Sequence, residues 1–268
     1  MYIEFKKMHG IGNDFIVIDN LFGRIKFSET QIKNLCDRQK GIGADGFILV
    51  EPAREDNNDC FMNYYNSDGT QAEMCGNGVR CVAKFLKEYI RNNEGADLLK
   101  IETRSGVKEI KRESDGTYSV NMGKPVFASK DFPNKKIEID GISLDFVSMG
   151  NPHAVCFVEN LENYDLEKLG PKVENDKNFP NKINFELVRE KNKKELDVKV
   201  WERGCGVTLA CGTGACAVFA AARKFKNADS EIKINLPGGS LFLSENKEGE
   251  IIMRGEATFV FDGAFEIV

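Results

Sequence analysis

The chain has 268 residues, with 37 Lys and Arg against 42 Asp and Glu, a net charge of −5 and 41% hydrophobic residues. These values describe an ordinary globular protein of one large or two average domains. They argue against a nucleic-acid binder, because the Lys191, Lys193 and Lys194 cluster is interleaved with Glu190 and Glu195 and reads as solvated surface. No stretch approaches membrane-spanning length.

From the N-terminus, Met1 to Met8 alternates like a strand and lacks the apolar core of a signal peptide, so a cytoplasmic location is expected. Strands follow at Phe15–Asp19, Gly46–Val50, Cys60–Tyr65 and Leu99–Thr103, rich in β-branched and aromatic residues. Ser28, with Gln31 in the capping-box position, predicts a helix running to about Asp37. A second helix is predicted after Cys75, through about Tyr89. Asp131 to Asn134, polar and containing Pro133, reads as a surface connection. Further on, Asp197–Trp201, Ile251–Met253 and Phe259–Phe261 read as strands, and the run Ala215 to Ala222 is strongly helical.

The chain repeats itself. Cys75-Gly76-Asn77-Gly78 is echoed by Cys211-Gly212-Thr213-Gly214, and Asn66 by Glu202, both 136 positions later. Gly12-Asn13 is echoed by Gly150-Asn151, Ser105-Gly106 by Gly238-Gly239, and Asn121-Met122-Gly123 by Met253-Arg254-Gly255. Collinear echoes with a drifting offset are what duplication followed by loop-length change leaves. They predict two similar halves with a ligand site in the cleft between them.

Eight cysteines without a signal peptide favour reduced thiols over disulfides. Cys36, Cys60, Cys81, Cys156 and Cys216 read as small buried hydrophobes, and Cys205 is left open. Cys75 and Cys211 differ, because each lies in a glycine turn at the start of a helix-like run. There the helix dipole favours a thiolate, and free backbone N–H groups can hold a carboxylate. The cysteine spacings do not fit structural zinc, no Cys-x-x-Cys is present, and no metal is expected. His153 follows Pro152 in a polar turn and could exchange a proton with a thiol, as could Glu202. His9, the other histidine, reads as structural. Asn13, Asn66, Asn151, Asn184 and Arg203 complete a polar set that suits a ligand with several amino and carboxylate groups.

Met8-His9-Gly10-Ile11-Gly12-Asn13-Asp14-Phe15, Asn66-Ser67-Asp68-Gly69, Cys75-Gly76-Asn77-Gly78-Val79-Arg80-Cys81, Gly150-Asn151-Pro152-His153, Glu202-Arg203-Gly204-Cys205-Gly206 and Ala210-Cys211-Gly212-Thr213-Gly214-Ala215 together resemble the diaminopimelate epimerase family. The resemblance runs in order over essentially the whole chain. It implies an α+β fold of two pseudo-symmetric domains, each a mixed, mostly antiparallel sheet wrapped around a central helix. The expected domains are residues 1–118 with 258–268, and 119–257. It implies cofactor-independent interconversion of LL- and meso-2,6-diaminopimelate by a homodimer, in lysine and peptidoglycan precursor synthesis.

In that family's pattern Cys211 is the proton acceptor and Cys75 the proton donor for the LL-to-meso direction, with His153 and Glu202 tuning the thiols. Substrate contacts fall to Asn13, Asn66, Gly76, Asn77, Asn151, Asn184, Glu202, Arg203, Gly212 and Thr213. One departure is Gly46, where some members carry a Gln that contacts substrate. Proline racemases of this fold typically have His at the place of Asn77. Phenazine-type isomerases lack the cysteine pair.

Overall fold

A computed structural model describes residues 2–92 and 94–266. The chain divides into two compact units, residues 1–120 with 255–268 and residues 121–254. The sequence expectation set these boundaries after 118 and after 257.

The first stretch holds β1 (Tyr2–Gly10), β2 (Asn13–Asp19), α1 (Glu29–Cys36), β3 (Gly46–Glu51), β4 (Cys60–Asn66), α2 (Gly76–Lys84), β5 (Leu98–Thr103), β6 (Gly106–Arg112) and β7 (Tyr118–Asn121). The second unit holds β8 (Ile137–Ile139), β9 (Ile142–Ser148), β10 (Pro152–Val158), α3 (Leu166–Glu174), β11 (Asn184–Asn192), β12 (Glu195–Glu202), β13 (Gly206–Thr208), α4 (Gly212–Lys226), β14 (Glu231–Leu236), β15 (Gly239–Glu245) and β16 (Ile251–Gly255). Finally β17 (Thr258–Glu266) returns to the first unit.

The two units are wired alike. In the first, the strand order is β17-β1-β2-β3-β4-β5-β6-β7, antiparallel except for β2/β3 and β4/β5. In the second it is β8-β9-β10-β11-β12-β14-β15-β16, antiparallel except for β10/β11 and β12/β14. The parallel pairs fall at the same two places, and a helix supplies each crossover that a parallel pair requires. The match reaches single residues: Tyr65 bridges Gln71 where Trp201 pairs with Val207. β17 takes the place at the edge of its unit that β8 takes in the other.

Each unit folds its sheet around one helix. α2 packs against β1, β2, β4, β5 and β6, and α4 against β9, β10, β11, β14 and β15. A helix in the middle of a core is buried on every side. Residues 76–83 of α2 are all buried, as are residues 214–222 of α4. Burying one valine such as Val79 or Val82 contributes roughly 1.5–3 kcal/mol. Small side chains in Ala215-Cys216-Ala217 keep α4 slim enough for strands on every side. α4 ends at Asn227, whose φ of 53° is the left-handed cap. α2 runs on through a π-helical segment, Phe85–Ile90.

α1 begins as expected: Ser28 Oγ accepts from Gln31 N, and Gln31 Oε1 accepts from Ser28 N. The segment 131–134 is different. It lies inside the second unit, and Phe132 is buried, with its ring stacked 5.5 Å from that of Phe146. Its polar neighbours hide one aromatic anchor, so the segment is part of that core and not an exposed connection.

Candidate active site

Both glycine turns become helix N-termini with the cysteine itself as N-cap. Cys75 Sγ accepts from Gly78 N at 3.5 Å, and Cys211 Sγ accepts from Gly214 N at 3.3 Å. These donors are among the first amides of α2 and α4, which have no partner within the helix. Space favours glycine at both places. A Cβ on Gly78 would lie 3.2 Å from Ile48 Cδ1, and one on Gly214 would lie 2.7 Å from Glu186 Oε1.

In the first unit, Cys75 Sγ donates to Asn13 Oδ1 at 3.5 Å, and Asn77 Nδ2 donates to the same oxygen at 3.3 Å. Asp45 Oδ2 accepts from Asn13 Nδ2 at 3.1 Å, which sets the Asn13 amide with its oxygen toward the thiol. Asp45 and Asp14 share Arg38, and Asp14 also pairs with Lys7 at 2.6 Å. Burial pushes the Asp14 carboxyl up, but Arg38 and Lys7 together hold it well below the usual carboxylate range. Asn77 is buried against Arg80. Asn66, the last residue of β4, is exposed, with Nδ2 donating to Thr70 Oγ1 at 3.1 Å.

In the second unit, Thr213 Oγ1 lies 3.5 Å from Cys211 Sγ and accepts from Asn151 Nδ2 at 3.3 Å. Glu202 closes the other side: its carboxylate accepts from the Cys211 thiol and, at 2.6 Å, from Thr208 Oγ1. Burial raises the Glu202 carboxyl above its ordinary value. Asn184 is pinned at both ends, with Nδ2 donating to Pro152 O and Oδ1 accepting from Arg203 N. Arg203 itself is exposed, with Nη1 on Asn181 O at 2.9 Å.

The expected depression of the Cys211 thiol at its helix terminus is not what the structure gives. Cys211 is raised well above an ordinary thiol, first by burial and then by the Glu202 and Glu186 carboxylates. The Thr213 hydroxyl and the Gly214 amide pull the other way without overcoming this. Burial and the two carboxylates thus favour the neutral thiol at Cys211.

His153 does not touch a thiol directly. It is fully buried, with Nδ1 2.7 Å from Glu186 Oε1 and Nε2 3.1 Å from Asn151 Oδ1. Glu186 is the residue that sequence reasoning missed. Its signal is there: a charged side chain inside the short apolar run from Phe185 to Val188. His9 accepts from Gly12 N through Nδ1, a local turn contact. Cys205 is exposed; its N–H donates to Glu202 O as that of Gly69 does to Asn66 O, which matches the repeat register. Gly46 has no room for a side chain, since a Cβ there would stand 2.6 Å from Tyr64 Cε2.

Two cysteine-capped helices in two like-wired units define a class. The fold is that of several solved structures: a phenazine biosynthesis protein of Bacillus anthracis (TM-score 0.73, 18% identity, all of both chains). A hydroxyproline epimerase of Agrobacterium vitis is also similar (TM-score 0.72, 13% identity, 98% of this chain and 91% of that one). So is a predicted epimerase of Pseudomonas aeruginosa (TM-score 0.73, 12% identity, 99% of this chain and all of that one). At the level of sequence, the model of the family described as diaminopimelate epimerase matches residues 5–128 and 146–260. The diaminopimelate epimerase of Desulfitobacterium hafniense is 39% identical over 97% of each chain. That of Carboxydothermus hydrogenoformans is 40% identical over 98% of this chain and 99% of its own. The chain belongs to the diaminopimelate epimerase family and is an amino-acid epimerase, an isomerase.

Proposed function

We propose that the protein interconverts LL- and meso-2,6-diaminopimelate without a cofactor, using Cys211 and Cys75 as an acid/base pair on opposite faces of one substrate carbon. The observation that carries this reading is the duplicated thiol: each cysteine caps its own helix through a glycine amide. In the LL-to-meso direction Cys211 first gives its proton to Glu202, whose raised carboxyl is a better base than an ordinary one. The thiolate then takes the Cα hydrogen, and the electron pair left on Cα spreads into the substrate carboxylate. Cys75, whose S–H now points at Asn13 Oδ1, returns a proton to the other face.

The carbanion is the costly species. The free amides at the starts of α2 and α4 are suited to its carboxylate, Gly76 and Asn77 in one case and Gly212 and Thr213 in the other. Asn13, Asn66, Asn151, Asn184, Glu202 and Arg203 are the proposed remaining contacts. Asn184 accepts from the Arg203 backbone N–H, and the exposed Arg203 guanidinium, held on one side by Asn181 O, is proposed to take a substrate carboxylate. The proposed enzyme closes on substrate and excludes water. Matching small-angle scattering with and without a tight inhibitor would count against closure. A cytoplasmic homodimer serving lysine and peptidoglycan precursor synthesis completes the proposal. No helix among the described residues is long and apolar enough to cross a membrane.

The deciding experiment follows Cα deuterium incorporation into diaminopimelate in D₂O by wild type, Cys75→Ala and Cys211→Ala. Both variants are expected to lose epimerisation. Retained epimerisation in either refutes the two-thiol mechanism.

A further inference from the structure

The repeat register pairs residues across the two units. Phe15 faces Gly46 across β2/β3 where His153 faces Asn184 across β10/β11. Two residues on, Ile48 takes the place of Glu186. Beneath the first turn of α2 there are thus a phenyl ring and an isoleucine; beneath that of α4 there are an imidazole and a carboxylate, all fully buried. Burying an ionisable pair is expensive, and Phe15 with Ile48 show that this place in the fold does not need one. One carboxylate oxygen, Glu186 Oε2, has no hydrogen-bond partner among the described residues.

The hydrogen bonds fix where the protons are. Asn151 Nδ2 is committed to Thr213 Oγ1, so Asn151 Oδ1 faces the imidazole and can only accept. His153 Nε2 therefore carries a hydrogen. A second hydrogen lies between Nδ1 and Glu186 Oε1, since two acceptors would not sit 2.7 Å apart, so this arrangement puts one proton more on the pair than a neutral imidazole and a carboxylate would hold. With Asn151 donating to its oxygen, the Thr213 hydroxyl has its own hydrogen left for Cys211 Sγ.

We infer that Glu186 is a positioning residue for Cys211: it locks the ring and tautomer of His153 and, through Asn151 and Thr213, keeps a hydroxyl donor on the Cys211 sulfur. If His153 carried its hydrogen on Nδ1 alone, the Asn151 amide would turn over, and Thr213 would donate to Asn151 instead of to sulfur. This deepens the role proposed above for Cys211 as proton acceptor and rests on it.

Glu186→Leu removes every partner of Nδ1, whereas Glu186→Gln can still hold it through the amide. Leu is expected to lower kcat at least ten-fold with KM within about two-fold, since a sulfur hydrogen bond matters to proton transfer and not to substrate contacts. Gln is expected to recover most of that loss. In a Thr213→Val background Leu should cost nothing further, because the chain is already cut. A readout free of turnover and of changes at the site uses ¹⁵N-histidine NMR of the wild type. With only two histidines in the chain, His153 is assigned by comparison with His9→Gln, and its Nε2 should bear hydrogen.

An unprotonated Nε2, a Gln variant as impaired as Leu, additive losses with Thr213→Val, or a Leu variant of wild-type kcat would each overturn the inference. An active Cys211→Ala instead sinks the two-thiol reading and leaves the His153 tautomer standing. A Leu variant that does not fold leaves the tautomer measurement to decide.

Discussion

Arg80 Nη2 donates to Asn77 Oδ1 at 2.7 Å, and neither residue is more than 1% exposed. The same guanidinium donates to Gly76 O and to Glu256 O, both at 3.2 Å. One buried cation thus holds the first turn of α2, the Asn77 amide beside Cys75, and the segment leading into β17. Cys216 stands at the matching place in the other unit.

Arg80→Met should therefore cost stability and activity together. It strands two buried acceptors, Asn77 Oδ1 and Gly76 O, at about 1–3 kcal/mol each before relaxation, and a more exposed one, Glu256 O. We expect the urea midpoint to fall by the equivalent of about 3 kcal/mol or more. A variant with an unchanged midpoint would show that Arg80 is not needed there.

Glu202→Gln should abolish the local base for Cys211 while leaving the Thr208 contact possible. Loss of a positioned proton acceptor typically costs about 10²–10⁴-fold. The expected result is a fall in kcat of roughly 100-fold or more, with KM changed little. A loss confined to KM would make Glu202 a substrate contact only.

Alkaline stability follows from the thiols. Burial pushes Cys36 and Cys81 up to about 12 and Cys156 up to about 11, and raises Cys60 and Cys211 as well. In the unfolded chain these thiols ionise near pH 8.5. Above that pH the unfolded state releases protons that the folded state keeps, so stability is full below about pH 8.5 and declines as pH rises toward the folded values. Each such thiol contributes up to about 1.4 kcal/mol per pH unit. Urea midpoints should therefore drop clearly from pH 7.5 to 9.5; equal midpoints would contradict the burial.

Gly46→Gln tests the departure at this position. A Cβ there meets Tyr64 Cε2 at 2.6 Å and Phe15 Cδ1 at 3.2 Å. Overpacking of this kind costs about 1–3 kcal/mol. The substitution is expected to lower the thermal midpoint without lowering KM; a lower KM would mean the added amide reaches substrate.

Much of this was readable from residues alone. The cysteine-glycine turns and their 136-residue spacing located both helix starts, because a capping thiol followed by glycines is a local signal. The Ser28–Gln31 box located α1 for the same reason. What escaped was non-local. Phe132 looked like part of a polar connection because only its distant partner Phe146 marks it as core. Glu186 was missed, since the His153 it serves is 33 residues away. The raised Cys211 escaped because the helix terminus is visible in sequence, whereas the carboxylates that oppose it arrive from β11 and β12.

β17 has a consequence for how the protein is made. Its pairing with β1 completes the first unit with residues 258–266, whereas the second unit is continuous from 121 to 254. On the ribosome the second unit has all of its strands while the first still lacks its edge. Folding order is thereby inverted relative to synthesis order: the half that emerges first finishes last, with the edge of β1 open to aberrant strand pairing until residue 266 clears the exit tunnel.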